Sequence, residues 1–206
     1  MGMKIGIISG SHRKKSQSRK VADFIVDRMN QMKPEMSPWL LDLAKANFPL
    51  WDEGVWSGEE KWKKIWSPVA EELNSCDGFV VISPEWNGMA TPALKNFFLL
   101  ASSRELGHKP GLIVTVSSGM GGSFPVNEIR TSSYKNTRIC YLPEHLVIRN
   151  VEKLLNVVHD TDVTPDDQYI RGRIDYALRL LAQYAKGLKM VRDSGQVDHK
   201  TYPNGM

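Results

Sequence analysis

Apolar residues along this chain fall into short β-branched runs separated by stretches with helical spacing. Ile5 to Ile8 is too short for a helix, and Ser9, Gly10 and Ser11 stop it abruptly, so it reads as a buried strand. Val21, Ile25, Met29 and Met32, with Phe24 beside them, then recur on one helical face until Lys33-Pro34 interrupts the pattern. Trp39 to Leu43 is a second strand, followed by a loop through Phe48, Pro49 and Trp51 and a polar, exposed excursion over 53–61. A helix from Glu60 to Asn74 carries Trp62, Trp66, Val69 and Leu73, and Pro68 is placed to kink or restart it.

The second half repeats the alternation. Gly78 to Ser83 and Gly111 to Val116 are continuous apolar runs, as expected for strands covered on both faces. Between them, Thr91-Pro92 offers an N-cap and a first-turn proline for a helix with Leu94, Phe97, Phe98 and Ala101 on one face. The pattern predicts a further helix from Val126 to Tyr141 and a short fifth strand, Leu146 to Ile148. An irregular connection over 149–163 follows. Thr164-Pro165-Asp166-Asp167 opens the best-marked helix, with Ile170, Ile174, Leu178, Leu181, Ala185 and Leu188 in one stripe. Residues 1–192 thus form a single domain, and 193–206 are a polar tail expected to fray.

Strands alternating with helices imply parallel pairing through right-handed crossovers, and the predicted fold is an α/β doubly wound parallel sheet of five strands. Ligands in such folds sit outside the carboxyl ends of the strands, where strand order reverses. Three segments that look unlike core material fall there: the hydroxyl-rich loop after the first strand, PEWNG after the third and SSGMGGS after the fourth.

Composition narrows the classes. The chain has 206 residues, 41% of them hydrophobic, enough for one full core. The net charge of +4 is dispersed except at Arg13 to Lys20, leaving no stripe for a nucleic-acid backbone. Cys76 and Cys140 belong to no C-x-x-C pair and the histidines are scattered, which argues against metal and dithiol chemistry. With no signal-like or membrane-length apolar run, a soluble, cytoplasmic protein is expected.

The loop after the first strand suits an anion, because the first amides of the following helix lack partners and lie at its positive end. Ser11, Ser16 and Ser18 add hydroxyls and Arg13 a charged fork. A Walker A loop is excluded because Ser9 and Lys14 stand where its glycines belong, and a dinucleotide fingerprint because no glycine occurs between Gly10 and Gly54. A terminal monophosphate survives, as does a merely solvated basic turn, since five of the eight residues from Arg13 to Lys20 are cationic.

The three loops together resemble the NADPH-dependent FMN reductase family of flavodoxin-like proteins, which includes azoreductases, chromate reductases and quinone reductases. The residues that carry the resemblance are Gly10-Ser11-His12-Arg13-Lys14-Lys15-Ser16-Gln17-Ser18, Pro84-Glu85-Trp86-Asn87 with Pro92-Ala93-Leu94-Lys95-Asn96, and Ser117-Ser118-Gly119-Met120-Gly121-Gly122. It covers about residues 3–150. The resemblance implies a flavodoxin-like three-layer sandwich whose five-stranded parallel sheet has the order 2-1-3-4-5, which makes the three loops neighbours around one crevice. It implies that Ser11, Arg13, Ser16, Gln17 and Ser18 hold the FMN phosphate, that Pro84, Glu85, Trp86, Asn87 and Gly88 line the ribityl chain and ring, and that Ser117, Ser118, Gly119, Gly121 and Gly122 border the other side. Trp86 stands where the family usually has tyrosine, which keeps a large ring and removes its hydroxyl. The implied activity is transfer of two electrons from NADPH or NADH through FMN to a quinone, free flavin, azo compound or metal oxyanion. A homodimer or homotetramer is implied as well, with some of Trp51, Trp56, Trp62 and Trp66 at a subunit contact. A flavodoxin-like electron carrier and a flavin-binding module without catalysis are the other readings. Carriers are usually strongly acidic, against a pI of about 9.0 here.

Overall fold

A computed structural model of the chain describes residues 2–32 and 35–205. The predicted break at Lys33-Pro34 lies outside the described residues. Five parallel strands, β1 (Met3–Ser9), β2 (Met36–Asp42), β3 (Gly78–Pro84), β4 (Pro110–Val116) and β5 (Cys140–Ile148), form one sheet of order β2-β1-β3-β4-β5. The chain steps outward from β1 to β2 and then back across to β3, so strand order reverses between β1 and β3.

The apolar runs divide strictly between two faces. Ile5, Ile7, Val80, Ile82, Leu112 and Val114 face helices α1 (Gln17–Gln31) and α8 (Pro165–Asp193). Ile8, Phe79, Val81 and Ile113 face α4 (Glu60–Ser75), α5 (Pro92–Leu100) and α7 (Phe124–Ser132). Because both faces are covered, the three central strands have no polar alternation in sequence. Proline inside a strand occurs at the two edges, Pro38 in β2 and Pro143 in β5, where a missing N–H is tolerated on the open side, whereas in the central strands it stands at the ends, Pro84 closing β3 and Pro110 opening β4.

Several elements differ from the sequence-based expectation. The helix predicted over Val126–Tyr141 is α7 and ends at Ser132, where the Ser132 and Ser133 hydroxyls turn back onto the carbonyls of Glu128 and Ile129. Arg138 then adopts a left-handed φ of 54°, and β5 starts at Cys140, earlier than the predicted Leu146. Exposed Pro143 and His145, on either side of half-buried Glu144, break the apolar strand pattern. Leu43 belongs to the short helix α2 (Leu43–Ala46), capped by Asp42, instead of ending β2. The polar excursion contains α3 (Gly54–Ser57), and α6 (Ser103–Leu106) was not predicted. Helix α4 runs through Pro68 without ending. The polar tail docks: Arg138 donates to His199 Nδ1 at 2.6 Å and to the carbonyls of Tyr202 and Asn204, and His108 stacks on His199.

The irregular stretch between β5 and α8 is held by one buried cation. Arg171 is 1% exposed, lies 4.8 Å from the Phe24 ring centroid, and donates to the carbonyls of Val157 (2.7 Å) and His159 (2.9 Å) and to the carboxylates of Asp160 (2.9 Å) and Asp167 (3.2 Å). Replacing Arg171 with Met keeps bulk and strands the buried Asp167 carboxylate, so a loss of about 3–5 kcal/mol in urea unfolding is expected at neutral pH. Arg171, then Arg28, hold the Asp160 carboxyl below its ordinary value of 3.8. Because the folded-state pKa is the lower one, this stabilisation is present above that value and lost as pH falls through the folded-state pKa. The urea midpoint of Arg171→Met is therefore expected to fall less steeply on acidification than that of the parent.

Candidate functional site

Gly10 closes β1 against the neighbouring strand. Its N–H donates to the Ile82 carbonyl at 2.8 Å, and a Cβ at this position would collide with that same oxygen. The Thr91 hydroxyl donates to the Gly10 carbonyl and accepts from the Leu94 N–H as the N-cap of α5. The ends of β1 and β3 and the start of α5 thus meet at one residue.

From there the chain turns through residues 11–16 into α1. Ser16 is the N-cap, accepting from the Arg19 N–H at 3.1 Å, and the first turn carries no acid. Ser11 and Ser18 are buried. Among the described residues, Ser18 Oγ and Gln17 Oε1 are buried without a hydrogen-bond partner, an expensive state for a site that stays dry. The cations of this stretch separate into two sets. Arg19 is paired with Asp23 (2.8 Å) and Asp42 (2.7 Å), and its pKa is raised chiefly by the Asp23 hydrogen bond. Lys20 donates to the carbonyls of Val151 and Leu154 and to Asn156, and burial lowers its pKa. Arg13, Lys14 and Lys15 remain exposed on the loop.

After β3, Trp86 and Met89 exchange both backbone hydrogen bonds at 3.0 Å across Asn87 (φ 51°) and Gly88 (φ 75°), a two-residue turn with both central residues left-handed. Glu85 joins this loop to the next one. Its Oε2 accepts from the N–H groups of Gly122 (2.8 Å) and Phe124 (3.2 Å), while its N–H donates to the Val116 carbonyl at 3.0 Å. A Cβ on Gly121 would lie 2.5 Å from Glu85 Oε1, and Gly122 has φ 106° with Val147 where a side chain would go. Glycine is required at both places for this staple. Arg149 closes the loop from the far side, donating to the carbonyls of Met120 (2.7 Å) and Gly121 (3.1 Å).

These segments enclose a cleft of about 290 Å3 at the carboxyl ends of β1, β3 and β4. Ser11, Arg13, Ser16, Gln17, Ser18, Pro84, Glu85, Trp86, Ser117, Ser118 and Gly119 line it together. Asn87, Gly88, Gly121 and Gly122 do not line it; they shape the two loops behind it. Sequence reasoning did not single out Val116, which lines the cleft, or His12, whose ring meets Trp86 edge-on at 4.7 Å. Nor did it find Arg149, which lies beyond all three motifs; its only signal was a cation directly after the fifth strand.

One end of the cleft therefore offers the N-terminal amides of α1, the unpartnered Ser18 hydroxyl and an exposed guanidinium, and the other an indole wall and glycine-rich backbone. That donor set fits a phosphate monoester joined to a flat ring, as in FMN. No group of three or more His, Cys, Asp or Glu among the described residues is placed to hold a metal ion, and no described helix is long and apolar enough to cross a membrane.

Comparison with known proteins agrees. The chain is 32% identical over 133 residues to an NADPH azoreductase of a Bacillus species, covering 63% of this chain and 68% of that one. It is 30% identical over 131 residues to a quinone reductase of Pseudomonas putida, covering 60% of this chain and 64% of the relative. It thus matches about two thirds of the length of these curated relatives. In fold it is similar to the flavoenzyme NAD(P)H:(acceptor) oxidoreductase FerB of Paracoccus denitrificans, with a TM-score of 0.66 and 15% identity over 90% of this chain and 98% of that one. An oxidoreductase of Corynebacterium diphtheriae gives a TM-score of 0.65 at 17% identity over 90% and 98%. The sequence model described as NADPH-dependent FMN reductase matches residues 3–153, the stretch that contains every strand and all three cleft loops, and the chain belongs to that family.

Proposed function

We propose that this chain is an FMN-dependent NAD(P)H oxidoreductase that passes two electrons to a small acceptor such as a quinone, free flavin, azo compound or metal oxyanion. The observation that carries this reading is the buried, unpartnered Ser18 hydroxyl, a hydrogen-bond donor at the acid-free N-terminus of α1, in the lining of a cleft with an indole wall. When bound, FMN supplies the redox chemistry, accepting two electrons from a nicotinamide and releasing them to the acceptor.

The chain's own residues bind and orient. Ser11, Ser16 and Ser18 present hydroxyls to the phosphate, Gln17 its amide, and Arg13 a charge that no described carboxylate neutralises. Pro84 and Trp86 wall the ribityl chain and ring on one side and Ser117 to Gly119 on the other. Glu85 keeps the two walls at a constant separation through its bonds to Gly122 and Phe124. Asn87, Gly88, Gly121 and Gly122 serve by setting loop shape. The alternative of a flavodoxin-like electron carrier fits the charge poorly, since the chain is net +4. A second copy of the chain is the expected partner. Exposed Leu99 (63%) lines a groove of about 470 Å3 between α5 and α7, and sedimentation would show whether dimers or tetramers form.

The purified chain supplied with FMN is expected to retain it with absorbance maxima near about 375 and 450 nm, and anaerobic NADPH is expected to bleach the longer-wavelength band. A carrier would keep its colour under NADPH. Arg13→Ala is expected to weaken FMN binding about tenfold, read by fluorescence titration, with urea stability unchanged. An unchanged affinity would remove the phosphate site. Glu85→Ala is expected to weaken FMN binding while speeding hydrogen exchange at the Gly122 and Phe124 amides, because both lose their carboxylate acceptor.

A further inference from the structure

We propose that a second cleft, at the carboxyl end of β5, holds the 2′-phosphoadenosine end of the nicotinamide donor and that Lys153, aided by Arg149, selects NADPH over NADH. This rests on the function proposed above and adds where the donor's distinguishing phosphate is read.

The β5 cleft encloses about 450 Å3 and is bordered by Arg149, Asn150, Lys153, Thr164, Asp166 and Tyr169. It shares a wall with the first cleft. Asn150 N–H donates to the Gly119 carbonyl at 2.9 Å and Val151 N–H to the Ser117 carbonyl at 3.1 Å, while Ser117 to Gly119 line the first cleft. A ligand lying across that wall touches both.

The lining is cationic and aromatic. Arg149 donates to neutral acceptors alone, the carbonyls of Met120 and Gly121 and the Ser123 hydroxyl (3.0 Å), so its charge is held in place without being neutralised. Lys153 is exposed, and among the described residues neither cation forms an ion pair. Asp166 is the single carboxylate in the lining, against two cations. Tyr169 is 67% exposed, a free ring face beside the charges. A phosphate monoester suits the two cations and a purine base suits the ring. NADPH carries both groups at the end remote from its nicotinamide; NADH carries the purine without that phosphate. The cleft therefore distinguishes the two donors by charge at Lys153 and treats them alike at Tyr169.

Calorimetric titration of the FMN-supplemented chain with NADP+ and with NAD+ tests this without turnover. NADP+ is expected to bind about tenfold tighter at low salt, with the preference shrinking as ionic strength rises. Lys153→Glu is expected to bring the two affinities together while leaving FMN content unchanged, and Tyr169→Ala to weaken both equally. Equal binding of NADP+ and NAD+ by the parent chain, or a preference that survives Lys153→Glu, overturns the assignment. Should the chain retain no FMN, the parent reading falls by itself, and the same comparison with 2′,5′-ADP against 5′-AMP still decides. A preference for 2′,5′-ADP that Lys153→Glu abolishes supports the β5 cleft; no preference overturns it.

Discussion

The site depends on how closely the backbone at Gly10 approaches the end of β3. Strand order reverses between β1 and β3, so no crossover helix fills the space above them, and the sheet alone would leave their loops splayed. The Gly10 N–H bond to Ile82 and the Thr91 hydroxyl bond to the Gly10 carbonyl draw the loops together instead. Any side chain at this position would push against a carbonyl that has no room to move, because Ile82 is fully buried in the core. The first amides of α1 and the indole of Trp86 consequently face one another across a single cleft.

Polar groups around that cleft divide into those the scaffold uses and those it leaves open. Arg19, Lys20, Glu85 and Arg149 are hydrogen-bonded to carboxylates, carbonyls or amides of neighbouring loops and hold the geometry. Ser18 Oγ and Gln17 Oε1 have no partner although they are buried. Unsatisfied buried oxygens weaken a fold unless something else occupies them, and folds retain them where a ligand completes the bonding. The division follows from position: Arg19 and Lys20 point back along α1 to β2 and to the turn after β5, whereas Ser18 and Gln17 point forward into the cleft.

Residue by residue, the motifs mixed two kinds of role. Asn87 and Gly88 stand in the family pattern beside Trp86, yet they form the left-handed turn that aims Trp86 and do not themselves border the cleft. Gly121 and Gly122 likewise make room for Glu85 and Val147 instead of for a ligand. A local pattern records that small or left-handed residues are needed; it cannot say whether a ligand or another side chain fills the space they leave. The same limit explains the error in the region of β5. Cys140 to Ile148 carries proline and acid on an open edge, so its pairing with β4 comes from tertiary contact and not from alternation.

What the amino-acid sequence determined by itself was the alternation of strands and helices, the caps at Thr91 and Thr164, and the identity of the three loops that converge. Those features are set by local spacing and by the burial of both sheet faces, which leave their mark within a few residues. Only the tertiary structure decided which of five neighbouring cations stay free, that Glu85 staples one loop to the next, that Arg171 holds the turn before α8 and that the tail packs on Arg138. Each of these is a bond between residues distant in sequence, and its partner becomes visible once the sheet has brought the two together.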